Sequence, residues 1–260
     1  MINMWMDNIP KDTELVASEC QEHFFRGNDR CILLIHGYTG SPHDMLYLGK
    51  TLHEAGFSVY IPRLPGHGTN HIDFLNSNYN QWLRKVVDSY INLKREYSDV
   101  FCCGLSMGGL LTLLLSSLFN PRKIVLAAPA LKASNNLIYL TPLIGLFLKK
   151  IKRSVSEKHE EEHLRRLQSE YWDYDWPTKA RDLLKLQRLA KARLEKVHSD
   201  CLTICSKNDQ TVPLEVVDII EKGIKSERKE HVILEKSPHV VVNDIEKERV
   251  AQEIIDWFSE

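Results

Sequence analysis

No stretch of this chain approaches the roughly 20 consecutive apolar residues that a membrane-spanning helix needs. The opening "MINMWMDNIPKDTE" lacks the basic segment and apolar core of a secretory leader. A soluble, cytoplasmic protein is therefore predicted. An excess of charge of one sign is missing too: the formal net charge is -1 and the pI about 6.8. Such a balance offers no broad attraction to nucleic acid or to an anionic membrane, which leaves a small or neutral substrate as the expected partner. A disulfide framework is absent, because the six cysteines (Cys20, Cys31, Cys102, Cys103, Cys201, Cys205) follow no regular spacing. Reduced, mostly buried thiols are expected. Cys201 and Cys205 flank the strand-like "LTI", and no second ligand pair follows at zinc spacing, so no metal site is predicted. Internal repeats and low-complexity linkers are lacking as well. Oligomeric state is left open.

What is present is an alternation. Short apolar runs recur at residues 31–36, 57–62, 99–103, 123–128, 201–206 and 230–235. Their unbroken apolarity suits parallel strands covered on both faces. Between them lie amphipathic stretches. Gln81 to Tyr97 sets Trp82, Val86, Val87, Tyr90, Ile91 and Tyr97 on one helical stripe, and residues 213–224 and 245–258 behave alike. The pattern predicts an α/β fold with a mostly parallel sheet flanked by helices. With 260 residues and 43% hydrophobic composition, one substantial core is affordable.

The alternation fails between about Leu131 and His198, where no strand-like run is found. A small helical cap at residues 131–198 is predicted, inserted between two sheet strands of a body made of residues 1–130 and 199–260. The cap begins with "NNLIYLTPLIGLFLKKIK", its most apolar part. That segment can line an acyl pocket or touch a lipid surface transiently; packing of the cap onto the body is the plainer expectation for most of its residues. The charged "SEKHEEEHLRRLQSEYW" reads as a solvated helix face.

"GLSMGG" (104–109) stands where a strand-like run gives way to a helix-like one. Gly104-Leu105-Ser106-Met107-Gly108 fits G-x-S-x-G, a sharp strand-to-helix turn that exposes a serine hydroxyl. Side chains two residues either side of the serine would collide with strand or helix, and glycine removes the collision. Serine is a poor nucleophile unless a base takes its proton and donors hold the developing oxyanion. The Met107 N–H, at the start of the helix, supplies one donor. Another is expected from "LIHGYTGSPHDM", where Gly37 lets the chain turn back toward the serine and leaves the Tyr38 N–H as the candidate. His36 is read as organising that loop.

Behind such a serine the acid and then the histidine follow in chain order. His159 and His163 lie in the glutamate-rich segment, His198 precedes a strand and His231 starts one. His239, in "LEKSPHVVVND", follows the last strand and is the expected base. Asp209, in "CLTICSKNDQTVP", leaves the preceding strand at its C-terminal edge, where α/β proteins gather catalytic groups. Asp200, Asp218 and Asp244 are read as surface or capping residues. Asp209 would fix the imidazole tautomer and stabilise the imidazolium.

Taken together, "HGYTGSPHDM", "YIPRLPGHGTN", "GLSMGG", "NDQTVP" and "SPHVV" resemble the bacterial carboxylesterase and monoacylglycerol lipase branch of the α/β-hydrolase superfamily. The resemblance runs over nearly the whole chain and is weakest in the cap. It implies an α/β-hydrolase fold and a cofactor-free serine esterase acting on short-to-medium acyl esters or monoacylglycerols. Ser106, Asp209 and His239 would be its triad, and the Tyr38 and Met107 amides its oxyanion donors. His67, in "LPGHGT", is read as structural. Tyr38 replaces a frequent phenylalanine and Pro238 a frequent glycine or bulkier residue, neither of which alters the chemistry. The same triad serves thioesterases, peptidases and carbon-carbon hydrolases, so these stay open. A non-catalytic binding protein would typically have lost a triad member, and a dehalogenase would carry aspartate at position 106.

Overall fold

The protein is described by a computed structural model covering residues 18–145, 147–148, 150–152 and 173–260. Its seven-stranded sheet comprises β1 (His23–Phe25), β2 (Arg30–Ile35), β3 (Ser58–Ile61), β4 (Asp99–Leu105), β5 (Lys123–Ala127), β8 (Asp200–Ser206) and β9 (Lys229–Leu234). Their spatial order is β1-β3-β2-β4-β5-β8-β9, and every pairing is parallel except that of β1 with β3. All six strands expected from apolar runs are present. The short antiparallel β1 was not legible, since three residues, two half-covered and one exposed, make no apolar run.

Strand order reverses at β2. The chain steps from β2 outward to β3, then returns to place β4 on the other side of β2, with Ile35 opposite Gly104. In a doubly wound sheet the crevice beyond the strand ends at such a reversal is where ligands bind.

Each face of the sheet carries its own core, because alternate residues of a strand point to opposite sides. Leu33, Ile35, Cys102, Ile124 and Leu126 meet α3 (Tyr79–Glu96) and α4 (Met107–Phe119) on one face. Ile32, Leu34, Phe101, Cys103 and Val125 meet α1 (His43–Glu54) and α8 (Lys247–Ser259) on the other. Helix α3 starts behind Asn78, whose side chain accepts from the Asn80 and Gln81 amides, a strong N-cap. It buries Trp82, Val86, Tyr90 and Leu93, so the stripe runs slightly differently from the sequence reading: Leu93 takes the inner place that Tyr97, now the C-cap, was given. Helix α4 is buried throughout Met107 to Ser116. A helix covered all round belongs to the core, and each fully buried leucine there stabilises the fold by about 1.5–3 kcal/mol. Among the described residues of the body, the remaining α-helices are α2 (His71–Asn76) and α7 (Glu215–Gly223).

Between β5 and β8 the chain forms α5 (Thr141–Ile144), a two-residue ladder of β6 (Ile151–Lys152) with β7 (Tyr174–Asp175), and α6 (Pro177–Lys191). The sequence reading expected no strand here; β6 and β7 are too short to register as apolar runs. Helix α6 buries Lys179, Ala180, Leu183, Leu186, Gln187 and Ala190 on one face. Before it, packing of the apolar segment onto the body holds for Ile138, which touches the core. It fails for its neighbours: Leu137, Leu143 and Phe147 are 61%, 63% and 86% exposed. The charged segment with His159 and His163 lies outside the described residues.

Candidate active site

Ser106 occupies the turn from β4 into α4 with φ 56° and ψ -111°, a backbone region that L-residues rarely adopt. Such a conformation costs of order 1–3 kcal/mol and persists only where its surroundings over-determine it. Here they do. The Ser106 amide donates to the Ala127 carbonyl (2.8 Å), and the Ser106 carbonyl accepts from the Gly109 (3.0 Å) and Ala130 (3.2 Å) amides. A Cβ at Gly104 would run into the Gly108 carbonyl, and one at Gly108 into the Ile35 carbonyl. The glycine spacing is thus imposed by close backbone approach. Gly108→Ala should lower stability by ~3 kcal/mol, read as a fall in the melting midpoint.

The loops after β8 and β9 bring two distant side chains to this serine. His239 Nε2 lies 2.8 Å from Ser106 Oγ, and His239 Nδ1 lies 2.7 Å from Asp209 Oδ2. The carboxylate is itself fixed, since Oδ1 accepts from the Thr211 (2.7 Å) and Val212 (3.0 Å) amides. Burial alone would raise its pKa, but the hydrogen bond and charge of His239 and the two amides outweigh it and hold Asp209 below the ordinary value. An acid that stays ionised keeps Nδ1 protonated, leaving Nε2 free to accept the Ser106 proton.

The segments expected to carry the oxyanion donors adjoin Ser106: Met107 follows it directly, and Gly37, which precedes Tyr38, packs against it. Gly37 is so near that an added Cβ would stand 3.5 Å from Ser106 Cβ. Met107 begins α4, so its N–H has no intrahelical partner, and its side chain is buried in the core. The two peptides that flank Tyr38 are each held by a buried histidine. His36 Nε2 accepts from the Leu64 amide (3.2 Å), so its proton sits on Nδ1 and is donated to the Gly37 carbonyl (3.0 Å). That carbonyl and the Tyr38 N–H belong to one peptide, which the bond both orients and polarises. His67 Nε2 reaches the Tyr38 carbonyl at 2.7 Å. Burial holds both rings neutral, pushing His36 well below its ordinary value and His67 to about 4.

Residues 27–246 match the Hydrolase_4 family, described as serine aminopeptidase, S33. This chain belongs to that α/β-hydrolase family. It is 32% identical to a thermostable monoacylglycerol lipase of Bacillus sp. strain H-257, over 88% of this chain and 90% of that one. It is 27% identical to a carboxylesterase of Bacillus subtilis strain 168, over 90% and 94%. Among solved structures, a metagenome-derived lipolytic enzyme of the LipS and LipT study superposes with a TM-score of 0.84 at 26% identity, over 94% of this chain and 99% of that one. As a member of the S33 family with these relatives, the protein is a hydrolase of the esterase and lipase type.

Residues set aside on sequence sit elsewhere in this S33 chain. His198 is exposed before β8, and His231 lies within β9, paired with Glu221 at 2.9 Å. Asp200 opens β8 and Asp218 is exposed on α7. Among the described residues no group of three metal-ligating side chains occurs. All six cysteines are free and buried. Burial pushes Cys20, Cys31, Cys103, Cys201 and Cys205 up to about 12, and Cys102 well above its ordinary value. The native protein should therefore resist iodoacetamide at pH 8, with all six thiols alkylated only after unfolding, as intact mass reports.

What the sequence reading missed is the seam between α6 and the body. Tyr38 Oη donates to the Trp176 carbonyl (3.4 Å), His71 stacks on the Trp176 ring (5.4 Å, 4°), and Gln187 donates to the Ala130 carbonyl (2.9 Å). Lys179 is buried there as well. A signal existed: Lys179 lies on the same helical stripe as Leu183, Leu186 and Ala190.

Proposed function

We propose that this protein hydrolyses carboxylic esters, short-to-medium acyl esters or monoacylglycerols, through an acyl-enzyme formed on Ser106. The observation that carries the reading is His239, bridging Ser106 Oγ and Asp209 across 2.8 and 2.7 Å at the sheet's reversal point. Ser106 Oγ attacks the ester carbonyl while His239 Nε2 takes its proton. The tetrahedral oxyanion is held by the Tyr38 and Met107 N–H groups. Collapse breaks the bond to the alcohol oxygen, which leaves with the proton from His239. Water then repeats the attack on the acyl-serine, and the acid departs. No step calls for a cofactor.

Residues 131–198 form the cap in this reading, over a body of residues 1–130 and 199–260. Acyl chains would lie beneath the cap, against side chains of residues 137–147. The exposed Leu137, Leu143 and Phe147 suit passing contact with lipid, and among the described residues no helix is long and apolar enough to cross a membrane. The relatives' names favour esters over thioesters or peptides. We assign the cytoplasm, since six unpaired thiols suit a reducing compartment.

A fluorophosphonate probe tests the mechanism. It should label one site, the tryptic peptide containing Ser106, with loss of esterase activity in proportion. Labelling elsewhere, with Ser106 unmodified, would refute the assignment. A panel of monoacylglycerols, p-nitrophenyl esters, acyl thioesters and aminoacyl amides tests the substrate class, and esters should give the highest kcat/KM.

A further inference from the structure

We propose that Lys179 is a positioning residue for this ester hydrolysis: from α6 it fixes the ring and carbonyl platform on which the Tyr38 oxyanion loop rests. The inference builds on the function proposed above.

An ammonium taken out of water is costly unless its charge is met. Lys179, at 4% exposure, is met in three ways. Its Nζ donates to the Ser77 carbonyl, pairs with Asp182 Oδ2 at 2.9 Å, and stands over the rings of Trp82 (5.1 Å) and Phe74 (5.6 Å). Asp182 belongs to α6 itself, whereas Ser77, Phe74 and Trp82 belong to the body. A leucine or methionine here would continue the apolar stripe of the helix. The lysine instead carries α6's charge to a body carbonyl and two body rings.

From these contacts a chain of polar contacts leads to the oxyanion loop. Ser77 Oγ donates to the Phe74 carbonyl (2.8 Å) and accepts from Trp82 Nε1 (3.0 Å). The same indole N–H reaches the Pro65 carbonyl (3.0 Å), which also faces His67 Nδ1 (3.0 Å). On its far side His67 meets the Tyr38 carbonyl at 2.7 Å. A neutral His67 has one proton for two carbonyls. The shorter contact places it on Nε2, toward Tyr38, and Pro65 must then be served by Trp82. Holding Trp82 in place is what frees the His67 proton for the oxyanion loop.

The rings repeat the link. Phe74 and Trp82, which carry the Lys179 charge, stand edge-on to His67 at 5.1 and 5.3 Å and to the Tyr38 ring at 5.5 and 6.3 Å. The seat of α6 and the Tyr38 ring and carbonyl therefore share one cluster, one bond pair away from the Tyr38 N–H. An error of about 1 Å in such a donor can cost up to ~100-fold in rate.

Lys179→Met and Trp82→Phe test the inference, the second removing the indole N–H while keeping a ring. For each, kcat and KM on p-nitrophenyl butyrate, the affinity for an alkyl trifluoromethyl ketone and the melting midpoint are measured. The ketone adds reversibly to Ser106 and places an oxyanion among the donors, whereas KM reports the ground state as well. In both variants kcat should fall by ~10-fold with ketone affinity in proportion, and KM should stay within about threefold. The double variant should lose less than the product of the two single losses, as members of one network do. A helix anchor and nothing more would lower the melting midpoint and leave kcat and ketone affinity at the parental values; that outcome overturns the proposal. If Lys179→Met fails to fold, Trp82→Phe decides by the same readouts. Failure of the parent protein to bind the ketone would sink the triad reading itself, whereas a reactive parent matched by both variants would sink this inference alone.

Discussion

Ser106→Ala should lower kcat on a p-nitrophenyl acyl ester by ~10⁶-fold and leave the fold standing. The size follows from the division of labour. Without Oγ there is no atom to carry the acyl group, so His239 and Asp209 have no proton to move, and what survives is the modest catalysis of oriented amides acting on water. Stability should change by less than ~1 kcal/mol. Alanine keeps the same Cβ at φ 56°, and the hydroxyl it removes meets His239, whose side chain is 22% exposed. Water can take the vacant partner's place. Activity near the parental level would remove the serine from its proposed role, and a collapsed melting midpoint would mean that the hydroxyl also holds the turn. Esterase assay and thermal melting on the same preparation separate these results.

That Ser106, His239 and Asp209 meet was legible in the sequence because the constraints on them are local. Gly104 and Gly108 are dictated by backbone atoms within a few residues and one neighbouring strand, so they leave a short, ordered pattern. Asp209 and His239 could be selected because each lies just beyond the C-terminal end of an apolar run, and parallel strands deliver all such ends to one rim. The inner strands β2, β4, β5 and β8 were legible because burial on both faces leaves unbroken apolarity, and the half-covered edge strand β9 was found by its short "VIL" run. Where coverage is partial the pattern disappears, as in β1, and where a ladder spans two residues, as in β6 and β7, there is nothing for a period to show. Helix α2, six residues long, is likewise too short for a stripe, although Asn70 caps it through the Ile72 and Asp73 amides. The apolar segment at 136–148 misled for another reason. Composition tells which residues shun water, not what will cover them, and Leu137 and Phe147 are left exposed. Lys179 shows the converse, since a charge on a buried stripe finds partners that lie about 100 residues away in sequence, at Phe74, Ser77 and Trp82.

Asp209→Asn should cost ~10⁴-fold in kcat with little change in KM, although the substitution is nearly isosteric. Asp209 Oδ1 accepts the Thr211 and Val212 amides, so the asparagine oxygen is drawn to that side and its NH₂ is turned toward His239. Nδ1 must then accept rather than donate, and the imidazole proton moves to Nε2, where it faces Ser106 and blocks the transfer that starts the reaction. The fluorophosphonate labelling rate should fall in step with kcat, because it needs the same proton transfer. Unchanged labelling with slow turnover would instead place Asp209 in deacylation alone. A second consequence concerns acid. The Asp209 pKa is lowered by folding, so the stability it contributes is complete above the unfolded value of about 4 and is lost as pH falls through the lower folded value. Asparagine has no such proton to take up. The melting midpoint of the parent should therefore drop more steeply than that of Asp209→Asn below about pH 4, and the two acid limbs should run parallel only if the carboxylate is not held by His239 and the two amides.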